Sequence, residues 1–75
     1  MNSTRREAMR HLAEEIDKIR SALEDILEEE QDYLDNLPEN LEGTDRYEVA
    51  QEAVESMEDA IAGLEEAAES LSDVL

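Results

Sequence analysis

Carboxylates carry nearly all the chemistry open to this chain. Of its 75 residues, 23 are Asp or Glu, set against six Lys and Arg, one His and no Cys, for a formal net charge of −17. His11 has Glu7 and Glu15 four residues to either side. That is the spacing at which side chains meet on a helix, so a carboxylate–imidazole contact is expected. A di-metal helical bundle draws its ligands from Glu-x-x-His pairs, and the chain has none. The acidic runs also lack the Asp-x-Asp-x-Asp-Gly ladder of a calcium loop. No nucleophile is spaced with a base, and no glycine-rich loop is present to cradle phosphate. The expectation is a protein that is not an enzyme and takes no cofactor and no structural metal.

What so many carboxylates do well is bind cations, above all basic protein surfaces. Nucleic acid and anionic membranes would be repelled; the basic clefts that hold nucleic acid would attract. The charge is unevenly spread. Residues 1–20 hold five bases and four acids, whereas residues 21–75 hold Arg46 and 19 acids. A small domain stays soluble with a net charge of only about 2–8 in magnitude, so solubility alone does not demand this excess.

These side chains are positioned by helices. From Met9, apolar residues recur at alternating steps of three and four: Leu12, Ile16, Ile19, Leu23, Ile26, then Tyr33 and Leu37, with Glu30 as the one polar break. That is an a/d heptad seam. Ala13, Leu27 and Leu34 widen it on one flank, Ala8 and Ala22 on the other. A second seam runs Tyr47, Ala50, Val54, Met57, Ile61, Leu64, Ala68, Leu71, beside a stripe of Ala53, Ala60, Ala67 and Val74. Pro38 and Gly43 fall between the two seams. Proline disfavours the helical conformation of the residue before it, so the first helix must end there. The reading is helix over about 4–35, hinge over about 36–44, helix over about 45–73. Ser3 or Thr4, with Glu7, is the expected first N-cap; Thr44 or Asp45, with Glu48, is the second.

Folded about that hinge, the seams match without a gap. Met9 is set against Leu71, Leu12 against Ala68, Ile16 against Leu64 and Ile19 against Ile61. Leu23 then meets Met57, Ile26 meets Val54, Glu30 meets Ala50, and Tyr33 meets Tyr47 beside the hinge. The expected fold is all-α: a two-helix antiparallel hairpin, coiled-coil-like, dimerising into a four-helix bundle. Leu27, Leu34, Ala53 and Ala60 are the expected dimer or partner flank. The same register lays Arg5, Arg6, Arg10, Lys18 and Arg20 beside the acids at the end of the second helix. It also brings Arg46 within a turn of Glu30, a candidate register lock. Nothing comparable neutralises the hinge end, where Glu24, Asp25, Glu28, Glu29, Asp32, Asp35, Glu48, Glu52 and Glu55, with Glu39 and Glu42, gather into an acidic tip.

The segment Glu29-Glu30-Gln31-Asp32-Tyr33-Leu34-Asp35-Asn36-Leu37-Pro38-Glu39-Asn40-Leu41, with Thr44-Asp45-Arg46-Tyr47, resembles a family of small acidic helical-hairpin proteins. They are carried by bacteriophages and mobile elements of Gram-positive bacteria. The Asn-x-Pro-Glu-Asn-Leu core is its specific part, and the resemblance covers about half the chain. It implies a phage or mobile-element setting and a helical hairpin, but no activity and no binding residues. Small acidic proteins from such genomes are often inhibitors of host defence, anti-CRISPR proteins among them.

Two functions follow as expectations. The first is an acidic protein-binding module whose tip acts as a DNA mimic, blocking a basic DNA- or RNA-binding surface of a host defence or DNA-processing protein. The alternative is a scaffolding coiled-coil homodimer whose acids serve solubility. Either would work in the bacterial cytosol: no apolar run nears the roughly 20 residues that span a bilayer, and the basic Met1–Arg6 stretch is not followed by the apolar run of a secretory signal.

Overall fold

The computed structural model describes residues 1–41 and 43–75. Helix α1 (Ser3–Asp35) and helix α2 (Asp45–Ser72) are joined through a single 3-10 turn at Glu39–Leu41, with no strand among the described residues. The two helices pack along each other as an all-α hairpin, a rod of 59 × 15 × 13 Å.

The corner is built from short-range hydrogen bonds. Asn36 ends α1, its side-chain amide donating to the Asp32 carbonyl at 2.7 Å. Pro38 then opens the 3-10 turn, where its carbonyl accepts from the Leu41 amide at 2.9 Å. Gly43 sits at φ +80°, left-handed backbone that residues with a Cβ adopt only at a cost. Thr44 caps α2: its hydroxyl accepts from the Tyr47 amide and donates to the Leu41 carbonyl, tying turn to helix. At the other end the N-cap is Asn2, not Ser3 or Thr4. Its side-chain oxygen accepts from the Arg5 amide at 2.8 Å. Asparagine is among the best N-cap residues, and capping one residue earlier lets Ser3 and Thr4 join the helix.

The seam of α2 is the one the heptads predict. Ala50, Val54 and Ile61 are its buried residues, and Tyr47, Met57, Leu64, Ala68 and Leu71 are half-buried along the same line. Helix α1 is rotated from expectation. Met9, Ile16, Leu23 and Glu30 face inward, but the alternate inward positions are Ala13, Arg20, Leu27 and Leu34, all half-buried. Leu12, Ile19, Ile26 and Tyr33 point outward, 58%, 54%, 53% and 44% exposed. Half of the expected layers are thus replaced, and Tyr33 does not share a covered layer with Tyr47. The reason lies in the width of the stripe. One α1 column continues on either flank of the Met9–Ile16–Leu23 line, and at 100° per residue the three together span about a quarter-turn. A single partner helix covers only part of that arc, and periodicity fixes the arc without fixing its centre.

The rotation places Arg20 at a seam position. Its guanidinium donates to Asp17 and Glu24 at 2.8 Å each, while its side chain is only a quarter exposed. The hydrogen bond to Asp17, then that to Glu24, raises its pKa further above the ordinary arginine range. Its aliphatic stem covers the seam where Ile19 was expected. Arg6 also lies half-covered at the open end, with its Nε buried and without a hydrogen-bond partner.

Candidate functional site

The acidic tip is set out along the outer surfaces of both helices. In α1, Glu24, Asp25, Glu28, Glu29, Asp32 and Asp35 are exposed; in α2, Glu48, Glu52 and Glu55 are exposed, as is Glu39 in the turn. Glu42 lies outside the described residues. The carboxylates stand three or four residues apart, in rows such as Glu24–Glu28–Asp32 and Glu48–Glu52. Side chains so spaced sit on the order of 6 Å apart on a helix surface, similar to phosphates along one strand. Among the described residues, Glu24 is the only one of these acids with a cation within ion-pair distance. Asp35 accepts from the Gln31 amide at 2.9 Å.

The bases do not cross to α2 as expected. Every ion pair among the described residues lies within α1: Arg10 with Glu7, Lys18 with Glu15, Arg20 with Asp17 and Glu24. Three or four residues along one helix is a shorter reach than across the seam, so the local partner wins. Arg46 is exposed and makes no ion pair with Glu30, so the proposed lock is not formed. Glu30 is half-buried on the inward side of α1. His11 lies 3.9 Å from Glu7 and from Glu14, rather than Glu15, with its ring largely exposed.

The residues of the expected apolar flank differ in exposure. Leu27 and Leu34 are taken up by the hairpin seam, Ala53 is half-buried and Ala60 is exposed. The uncovered stripe on α1 is Leu12, Ile19, Ile26 and Tyr33, one residue per heptad. The signal for it was in the sequence, since these are its expected seam residues; what misassigned them was the assumption that the partner helix covers the most apolar column.

A shallow groove of about 490 Å³ runs along the other side of the seam, lined by Ala13, Glu14, Asp17, Lys18, Ala68 and Ser72. It is open and faced with charge. No three His, Asp or Glu side chains converge into a metal cluster among the described residues, and no helix is long and apolar enough to cross a membrane. Compared with known proteins, the chain matches no family model, no curated protein and no solved structure.

Proposed function

We propose that the chain is a non-enzymatic, acidic protein-binding module that occupies a basic nucleic-acid-binding surface, in the manner of a phage-encoded inhibitor of host defence or DNA processing. The observation that carries this reading is the row of unpaired carboxylates at the hinge end. Among the described residues Glu24 alone is held by a cation, which leaves the others open to a basic partner. A basic cleft that docks on them sheds its counterions as it would on DNA. The residues assigned to that contact are Glu24, Asp25, Glu28, Glu29, Asp32, Asp35, Glu48, Glu52 and Glu55. A hairpin about two helices wide fits a cleft that admits a duplex, and the groove along its seam is open to water.

The test is affinity capture from a Gram-positive host lysate at low and at high salt, with the native chain and with a variant whose nine tip acids are replaced by Gln or Asn. The expected result is a basic nucleic-acid-binding protein, lost at high salt, lost with the variant and displaced by duplex DNA. Capture that persists in high salt, or that duplex DNA does not displace, contradicts the proposal.

A further inference from the structure

The hairpin is two-faced along its length. Ala13 and Asp17 of α1 line the same groove as Ala68 and Ser72 of α2, which fixes which side of each helix looks the same way. Turning the opposite way around each helix, at 100° per residue, leads to Leu12, Ile19, Ile26 and Tyr33 on α1 and to Ala60, Ala67 and Val74 on α2. These two columns therefore share the face away from the groove. Beyond them on α2 come Val49, Ser56, Gly63 and Ser70. None of the 23 acids falls in any of these three columns within the helices; the matching outer column of α1, Ala8, Glu15, Ala22 and Glu29, brings only two acids to the edge of the face in a chain carrying −17.

We propose that this face binds a second copy of the chain, with the two rods running in opposite directions about a two-fold axis between Ile19 and Ile26. This goes beyond the reading of the acidic tip and does not rest on it. Three observations select a second copy. Among the described residues the hairpin alone buries only Ala50, Val54 and Ile61, while one whole apolar column of α1, Leu12, Ile19, Ile26 and Tyr33, stays in water. The broad side of a 59 × 15 Å rod is on the order of 900 Å² in projection, close to the roughly 800 Å² per partner that a standard interface buries. The stripe is also self-complementary on reversal. Its single seven-residue step sets Leu12 against Tyr33 of the second copy and Ile19 against Ile26, while the small residues of α2 let the other two helices approach closely.

Charge selects the direction. Residues 21–57, the hinge half, hold thirteen acids and Arg46; residues 1–20 and 58–75 together hold ten acids and five bases. Opposed rods set the heavily acidic half of one chain beside the lightly charged half of the other. Rods running the same way would press the two acidic halves together.

Sedimentation equilibrium of the whole chain tests the association. The expected mass is twice 8.5 kDa, with dimerisation strengthened by added salt as like-charge repulsion is screened. The tip contact has the opposite salt response, so the two proposals fail independently. The double variant I19D/I26D should sediment as a monomer with its helical circular dichroism kept. Cross-linking reads the geometry even if that variant unfolds, because the chain has no native cysteine. An equimolar mixture of L12C and Y33C chains should oxidise mainly to the mixed disulfide. A monomeric native chain overturns the proposal, and so does a mixture that forms only L12C–L12C and Y33C–Y33C pairs.

Discussion

Ala13 of α1 and Ala68 of α2 line one shallow groove on the charged side of the hairpin. Leu12, the neighbour of Ala13 and the residue expected opposite Ala68, is 58% exposed on another side of its helix. That one-residue difference sets the rotation of α1, and the predictions below depend on it.

The seam residues should dominate stability. Ile61 is 8% exposed and Val54 5%, so truncating either removes covered methyl groups and leaves a void. Ile61→Ala should destabilise the hairpin by about 2–3 kcal/mol. At concentrations dilute enough to hold the chain monomeric, Ile19→Ala should cost under about 1 kcal/mol. Urea unfolding followed by circular dichroism compares them; equal losses at the two positions would mean that α1 is turned back to the a/d seam.

The two glycines should respond with opposite sign. Gly43→Ala forces a Cβ into left-handed backbone at φ +80° and should cost about 1–2 kcal/mol. Gly63→Ala meets nothing within 4 Å on an open helix surface and should stabilise the monomer by about 0.5–1 kcal/mol. Thermal unfolding of the two variants side by side is sufficient to check the sign.

Thr44 joins two segments through one hydroxyl, so its removal loosens both. Thr44→Ala should cost about 1 kcal/mol, while Thr44→Ser, which keeps the oxygen that accepts from the Tyr47 amide, should be near neutral. Asn2→Ala acts at the open end of α1 and should cost less. Hydrogen exchange at Tyr47 and at Arg5 reports each cap separately.

Arg20 occupies a seam position while bonding to Asp17 and Glu24, both on its own helix. Its pKa is raised on folding, so the stability it contributes is present throughout the range below the ordinary arginine pKa and is lost only as pH rises past it. Removing Arg20 should therefore leave the pH dependence of stability unchanged from mildly acidic to mildly alkaline solution. Arg20→Leu should also raise the melting temperature, because an apolar side chain fills the seam without an ionic head to keep wet. A melting temperature lowered by this variant, or a changed pH profile, would show that the ion pairs do more than the stem.

Net charge should make the fold sensitive to ionic strength. A chain at −17 repels itself, and among the described residues its ion pairs are few and local to α1. Added sodium chloride should raise the melting temperature through the first few hundred millimolar, as screening relieves repulsion faster than it weakens exposed pairs. Differential scanning calorimetry across a salt series measures it, and a flat or falling series would mean that the pairs outweigh the repulsion.

The sequence by itself determined the two helices, the corner between them and the inner seam of α2. Each is specified locally: Pro38 and Gly43 interrupt the helix, Thr44 starts the next, and the Ala50–Val54–Ile61 line has no apolar rival column of comparable size beside it. It also determined that carboxylates crowd the hinge end, since that follows from where the acids fall along the chain relative to Pro38 and Gly43. Only the tertiary structure decided which part of the wide α1 stripe faces inward, and with it the exposure of Leu12, Ile19, Ile26 and Tyr33. Only the fold, too, set Arg20 in the seam and kept the bases on their own helix. Adjacent columns on one helix have the same period, so periodicity cannot choose between them; that choice belongs to how the two rods settle against each other along their whole length.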